Sequence, residues 1–267
     1  MDKDKIINLA EKFINDAPGN YITQEAALRP RHAGMKIFEA PMLAFGAADD
    51  GLYTQFKAEG VIGSHFLSPT QWLPGAKTVI SFFLPYTARI NAANAADHSW
   101  PAEEWLHGRY EGQLLVRQLV EYLVELISGA GFAALAPSFD PRHKFGAGNN
   151  MYTSNWSERH IAYACGLGTF GLSKGLITKK GTSGRFGSLV TELDLPKDAR
   201  DYSGVHDYCT MCGICIGHCP AAAISFENGK KSALCSGFLD KTREKHTPRY
   251  GCGKCQVGVP CESGLPK

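Results

Sequence analysis

Over its first 208 residues the 267-residue chain has a single cysteine, Cys165; the other eight fall between Cys209 and Cys261. It also lacks any uninterrupted apolar run long enough for a membrane-spanning helix, so no membrane is expected. The opening stretch, Met1 to Phe13, is charged and amphipathic. It has neither the apolar core of a secretory signal nor twin arginines, so a cytoplasmic location is expected. Excess charge of either sign is scarce. Net charge is +2, with +3 carried from His206 onward (eight Lys/Arg against five Asp/Glu) and −1 before it. That is not the concentrated basic stripe of a nucleic-acid-binding face, so no nucleic acid is expected as partner. What is present is globular: 44% hydrophobic and 20% charged residues rule out a disordered or fibrous chain. In a reducing compartment, nine cysteines read as metal ligands rather than disulfides.

The cysteine asymmetry divides the chain into an α/β (α+β) core over residues 1–200 and a small cysteine-rich domain over 201–267, joined by a linker from Pro196 to Val205. In the core, Ile6, Ile7, Ala10, Phe13 and Ile14 share one helical stripe that stops at Pro18-Gly19. A short strand is expected from Ile37 to Phe45, and Asp49-Asp50 should cap a helix running towards Gly60. Thr78–Pro85 is apolar throughout and rich in β-formers, as a central strand covered on both faces would be. Residues 87–101 lose periodicity and read as an exposed loop. Glu103 to about Gly129 has apolar residues spaced at three and four and is the strongest helix. A strand is expected at Phe132–Ala136 and a long loop at 137–156, a helix capped by Ser157 runs to Cys165, and strands follow near Leu172–Thr178 and Gly187–Leu193. A loop as long as 137–156 is usually functional or mobile.

The chemistry is announced by Cys209-Thr-Met-Cys212-Gly-Ile-Cys215-Ile-Gly-His-Cys219-Pro220, a C-x2-C-x2-C-x3-C-P run. Three closely spaced thiolates wrap one cubane and the fourth ligates the other, as in bacterial ferredoxins. Zinc sites instead pair two CxxC units across a longer spacer, and four cysteines this dense do not fit one tetrahedral ion. Four more thiolates follow, and two [4Fe–4S] clusters need eight. Cys209, Cys212, Cys215 and Cys261 are assigned to one cluster, and Cys219, Cys235, Cys252 and Cys255 to the other. Cys165 is left as a small buried hydrophobe. Gly166-Leu-Gly168-Thr-Phe-Gly171 matches the G-x-G-x-x-G of dinucleotide sites. However, a helix precedes it rather than a strand, so these glycines more plausibly admit close approach of a flat ligand or of another chain segment.

Several runs together resemble the epoxyqueuosine reductases: Trp72-Leu-Pro-Gly-Ala-Lys-Thr-Val-Ile-Ser-Phe-Phe-Leu-Pro-Tyr86, Glu158-Arg159 through Gly168 and Gly171, Arg185-Phe-Gly187-Ser188 with Glu192-Leu193, and Arg249-Tyr-Gly-Cys252-Gly-Lys-Cys255. The resemblance covers roughly residues 37–261. It implies a nitroreductase-like sandwich core that binds a corrinoid (cobalamin), as in the related reductive dehalogenases, and a C-terminal two-cluster ferredoxin-like domain that supplies electrons. It also places Arg159, Gly168, Gly171, Gly187 and Ser188 at positions lining or supporting the corrin.

The departures are informative. Where the family carries its proton-donating Asp, this chain has Tyr152, a side chain that dehalogenases are thought to use as the acid; the alternative is an ordinary loop aromatic. The family's D-Y-H stretch is reduced to Tyr110, a second catalytic candidate whose helical spacing also suits core packing. The final cysteine set closes with x5 rather than x3, and helical repeats that help hold tRNA are not found after Cys261. The expectation is therefore an oxidoreductase acting on a small-molecule substrate other than tRNA and fed by a reduced ferredoxin or flavodoxin. Two alternatives stay open: an electron-transfer or corrinoid-reactivating iron–sulfur protein with no substrate of its own, and a flavin reductase, since nitroreductase-like cores elsewhere bind FMN. His107, His143, His160 and His206 are not expected as cobalt ligands.

Overall fold

The computed structural model of the protein describes residues 1–147 and 150–267. Its first half runs α1 (Lys3–Asp16), β1 (Met42–Ala47), the single-turn helices α2 (Leu52–Gln55) and α3 (Pro69–Trp72), β2 (Thr78–Pro85), α4 (Ala88–Ala95) and α5 (Glu103–Gly129). After it come β3 (Ala134–Leu135), β4 (Phe145–Ala147), β5 (Asn150–Ser154), α6 (Glu158–Cys165), β6 (Gly168–Phe170), β7 (Leu176–Thr178) and β8 (Gly184–Thr191). The cysteine-rich end adds α7 (Ile214–Gly217), β9 (Ile224–Ser225), β10 (Gly229–Lys230) and α8 (Ser232–His246).

The main sheet is antiparallel with strand order β1-β2-β8-β3. Every residue of β2 is buried, because its alternating side chains enter two different cores. Ile80, Phe82 and Leu84 join α1 and the Leu115, Leu119, Leu123 and Ile127 stripe of α5. Val79 and Phe83 join Trp72, Trp156 and the Ile161, Ala162 and Cys165 face of α6. The result is three layers, α1 and α5 on one side and α6 with the short helices on the other. Asp2 caps α1, its Oδ1 accepting from the Lys5 amide at 2.9 Å.

Local structure departs from the sequence reading in a few places. The 87–101 stretch contains a helix, α4, rather than a loop. Its alanines favour helix, and Ile90, Asn91 and Asn94 are buried by tertiary contacts that periodicity does not register. The helix after Asp49-Asp50 lasts one turn, with Asp50 Oδ1 accepting from the Leu52 amide at 2.9 Å. Ser157 begins α6, but its hydroxyl pairs with His160 Nδ1 at 2.8 Å instead of capping. The 137–156 loop folds partly into the β4–β5 hairpin; its Gly148 and Asn149 lie outside the described residues. The stretch between core and cysteine-rich region is tied to the core along its length. The Asp198 amide donates to Phe45 O at 2.8 Å, Asp198 Oδ2 accepts from Phe45 N at 2.8 Å, and Arg200 bridges Asp50 and Ala164 O. Among the described residues no helix is long and apolar enough to cross a membrane.

Candidate electron-transfer centre and adjoining cleft

The C-x2-C-x2-C-x3-C run forms a loop around α7. Met211 and Gly213 adopt positive φ (52° and 77°), and a Cβ on Gly213 would sit 2.7 Å from the Phe226 ring. Cys209, Cys212, Cys215 and Cys261 line one small cavity of ≈ 20 Å³, walled by Leu172, Ile177, Val259 and Pro260. Burial pushes the Cys261 thiol up to about 12, and the neighbouring Cys209, Cys215 and Cys212 push it further in that direction. Cys252 is also pushed up to about 12 by burial, with Cys255, Cys235 and Cys219 adding to the shift. Cys261 thus feels Cys209, Cys215 and Cys212, and Cys252 feels Cys255, Cys235 and Cys219. The two sets also adjoin, since Cys255 acts on Cys215, whose thiol burial and its neighbours raise to about 11. All nine cysteines are free thiols. Among the described residues no three His, Cys, Asp or Glu side chains converge as they would on a single metal ion. A cubane sets no such requirement, because each thiolate binds a different iron. A donor set of four thiolates in an apolar-walled cavity suits a [4Fe–4S] cluster, and metal binding would reverse the upward shifts by holding the sulfurs as thiolates.

Several contacts dock this region on the core. The Thr182 amide donates to Cys261 O at 2.9 Å and Ser183 N to Glu262 O at 3.1 Å. Asn94 of α4 donates to Cys252 O at 3.0 Å and accepts, through O and Oδ1, from the buried Lys254 ammonium at 2.7 and 3.1 Å. The half-buried Arg249–Glu111 ion pair joins the Cys252 loop to α5, with His107 Nδ1 on the other side of Glu111 at 3.2 Å. Gly251 and Gly253 are required here, because a Cβ on Gly253 would fall 1.9 Å from the Trp105 ring.

Several cations lie near the Cys219–Cys235–Cys252–Cys255 set. Arg159 is exposed to solvent. The charges of Cys255 and Cys235 reach it, and so does that of Arg109. Burial and Arg109 together lower Arg185 to about 10. Tyr250, whose pKa Arg109 lowers, lies between two guanidinium groups, with Arg109 and Arg243 each 4.4 Å from its ring centre.

The residues expected at the site are distributed unevenly. Arg159 Nη1 donates to Lys174 O at 2.7 Å. Ser188 donates to Glu158 Oε2 at 2.6 Å and accepts from the Trp156 indole at 3.0 Å, so it supports the start of α6. Space vacated by the glycines is filled by the chain itself. A Cβ on Gly168 would lie 1.9 Å from Ile177 O, one on Gly171 3.2 Å from Ile177 Cδ1, and one on Gly187 2.4 Å from the Phe82 ring. Tyr152 is exposed on β5. Tyr110 is exposed too, outside the core that its spacing suggested, with the Arg249 guanidinium 5.5 Å from its ring. His160 is packed between Phe56 and Phe170 with its pKa lowered to about 4 by burial, and His107 is wholly buried in the Glu111 network, so both are structural. Arg109, Arg185 and Tyr250 were passed over at the sequence level, although Arg109 adjoins Tyr110, Arg185 opens the Arg185–Ser188 run and Tyr250 precedes the Cys252 pair. Their convergence from α5, β8 and the cysteine-rich end leaves no pattern in any one stretch.

No protein-family model matches the chain. It is 26% identical over 218 residues to an epoxyqueuosine reductase of Bacillus cereus, an alignment covering 74% of this chain and 51% of that protein. Its fold matches, at a TM-score of 0.54 and 18% identity, a structure of epoxyqueuosine reductase with an epoxyqueuosine-modified tRNA-Tyr stem loop, covering 98% of this chain and 67% of the other. This chain is similar to epoxyqueuosine reductases and reductive dehalogenases. The dehalogenase likeness comes from a structure described as suggesting a mechanism for B12-dependent dehalogenation, at a TM-score of 0.53 and 16% identity over 82% of this chain and 29% of that one. The mixed α/β architecture with open sheets is shared with both, and both are oxidoreductases. The chain spans about half the length of the curated relatives it matches. One expectation is corrected here. The lack of a basic stripe led to the exclusion of nucleic acid, whereas a fold relative has been solved with a tRNA stem loop bound. Net charge is a poor guide in such a case, because a stem loop can be gripped by a few local side chains that the overall balance does not reveal.

Proposed function

We propose that this protein is a cytoplasmic, cobalamin- and iron–sulfur-dependent reductase. In this reading residues 1–200 are a nitroreductase-like core, and residues 201–267 are a ferredoxin-like domain holding two [4Fe–4S] clusters. The observation that supports it is that Cys209, Cys212, Cys215 and Cys261 line one apolar-walled cavity, while Cys255, Cys235 and Cys219 act together on Cys252. Cys209, Cys212, Cys215 and Cys261 would hold the cluster that takes electrons from a ferredoxin- or flavodoxin-type donor, and Cys219, Cys235, Cys252 and Cys255 the one that hands them on.

The cationic residues near this set suit a corrinoid. Arg109 Nε and Arg185 Nε are buried without a hydrogen-bond partner, and Arg159 presents an exposed guanidinium, so together they offer donors to the amide- and phosphate-bearing rim of such a group. Bound there, a corrinoid supplies the strongly reducing metal centre that side chains lack. Arg159 orients it, Ser188 with Glu158 fixes the start of α6, and Gly168, Gly171 and Gly187 let the surrounding segments close together. Tyr152 holds the proton for the product at its phenol oxygen, and Tyr110 lines the approach.

The test is to mix anaerobically reconstituted protein with cobalamin, pass it through a desalting column and record the absorption spectrum. A retained base-off spectrum is expected. Retention of FMN instead, or of neither, overturns the assignment. Turnover is then assayed with an epoxyqueuosine-bearing tRNA stem loop and with a halogenated phenol in parallel. On the substrate that reacts, Tyr152→Phe should lower kcat by about 100-fold or more while leaving cobalamin bound.

A further inference from the structure

Solvent reaches the cysteines of the C-terminal region unevenly. Cys212 is exposed, whereas Cys209, Cys215, Cys219, Cys235, Cys252, Cys255 and Cys261 are all partly covered. The surroundings of Cys212 are apolar. Met211 is 39% exposed, Ile214 40%, Phe226 58% and Leu265 42%. These side chains share one face. Met211, Cys212, Gly213 and Pro266 border the same small cavity, and Phe226 lies over Gly213, where a Cβ would meet its ring at 2.7 Å. Ile214 follows Gly213 in the chain, and Leu265 precedes Pro266. Charge is missing from this face. Residues 209–217 carry no charged side chain, and 257–266 carry only Glu262, whose carboxylate accepts from the Gly258 amide at 2.7 Å and the Ser263 hydroxyl at 3.3 Å. Elsewhere the cavity is closed by the core, through Leu172, Ile177 and the hydrogen bond from Thr182 to Cys261.

We propose that the Met211–Ile214–Phe226–Leu265 face is the docking surface for a small electron-carrier protein, held by apolar contact rather than by charge. Large apolar side chains gathered on a surface mark an interaction site. Two observations decide the occupant. The solvent-open thiol lies within the face, so whatever covers the face comes against the outer cluster, where the chemistry on offer is transfer of one electron with no bond made or broken. The face also presents only four large apolar side chains. A stable dimer needs about 20–30 residues a side, so this size suits a brief redox encounter. The inference rests on the two-cluster reading and adds to it where the carrier sits and what holds it there.

The experiment titrates dye-labelled oxidised ferredoxin and flavodoxin with the cluster-loaded protein and follows fluorescence anisotropy. At least one carrier should bind saturably, and Phe226→Asp and Leu265→Asp should each weaken it about tenfold by setting an unpaired charge in a dry contact. Leu114→Asp, at an exposed leucine of α5, should bind as wild type does. Raising salt from about 0.05 M to about 0.5 M should change the affinity less than about threefold, where a charge-held pair loses far more. In stopped flow, the reduced carrier should reduce Phe226→Asp and Leu265→Asp more slowly than wild type. Dithionite, a small anion that needs no docking face, should reduce all of them alike. Iron near about eight atoms per chain verifies each variant, and if Phe226→Asp loses iron, Leu265→Asp carries the comparison.

Binding by neither carrier, binding unchanged in the folded variants, or a steep loss of affinity with salt overturns the proposal. So does a wild type that sediments as a dimer beside a monomeric Phe226→Asp, since a second copy would then own the face. The earlier reading fails by different signs. If cobalamin is not retained, the corrinoid assignment falls, and if wild-type iron is near about four atoms per chain, the second cluster does. In either case the carrier titrations still decide this one.

Discussion

His160 shows what a single residue's surroundings decide. Its ring lies between Phe56 and Phe170, at centre distances of 5.2 and 4.8 Å, with Arg159 adjacent, so the charged imidazolium is disfavoured and the pKa falls to about 4. In the unfolded chain the ring takes up a proton near its ordinary value of 6.5. Protons are therefore bound more by the unfolded state between about 6.5 and about 4. Stability from this residue is complete above pH 6.5 and is lost as pH falls through that window. The expected outcome is that the thermal midpoint of wild type drops more between pH 7.5 and 5.5 than that of His160→Gln, whatever the offset between the two proteins. Parallel curves would contradict the assignment. From the sequence alone, His160 could be judged structural only on general grounds. The environment that depresses it is built from residues over a hundred positions apart, and a one-dimensional pattern does not register that.

At the scale of elements, the long helix α5 and the buried strand β2 were both legible, because a stripe at helical spacing and an apolar β-branched run each name one structure. Helix α4 was not, since its evidence is the burial of Asn91 and Asn94 against other elements. The glycine-punctuated segment after Cys165 was legible as a place of close approach, though what approaches could not be told from the sequence. In the structure it is the neighbouring strand: β6 pairs with β7, and Gly168 faces the Ile177 carbonyl. Gly168→Ala should consequently cost about 3 kcal/mol of stability by forcing the pair apart, read as a lowered unfolding midpoint. Because β7 also contributes Ile177 to the wall of the outer cysteine cavity, faster loss of iron under chelator should accompany it. A variant as stable as wild type would show that the β6–β7 pairing is looser than it is drawn here.

For the whole molecule, the cysteine-rich end is held to the core by side chains on both sides. Arg249–Glu111, with His107 behind it, is the charged part of that junction, and its two side chains are 13% and 14% exposed. Glu111→Gln leaves Arg249 without a counter-charge and should cost about 3 kcal/mol. Loosening should appear first as proteolysis between residues 246 and 252. An unchanged cleavage pattern would mean that the Asn94–Lys254 and Thr182–Cys261 contacts suffice. The number of cysteines and their order were enough to suggest the quartets. The three-dimensional arrangement adds that Cys255 and Cys235 lie within electrostatic reach of Arg159 and Lys230.

The measurement that bears most directly on this account is iron per chain after anaerobic reconstitution, in wild type and in two double variants, Cys209→Ala/Cys261→Ala and Cys252→Ala/Cys255→Ala. Two independent quartets require about eight irons in wild type and about four in each double variant, with a different surviving cluster signal in the reduced-state electron paramagnetic resonance spectrum of each. About four irons in wild type, or loss of all iron in either double variant, would contradict the two-cluster assignment and the electron route built on it.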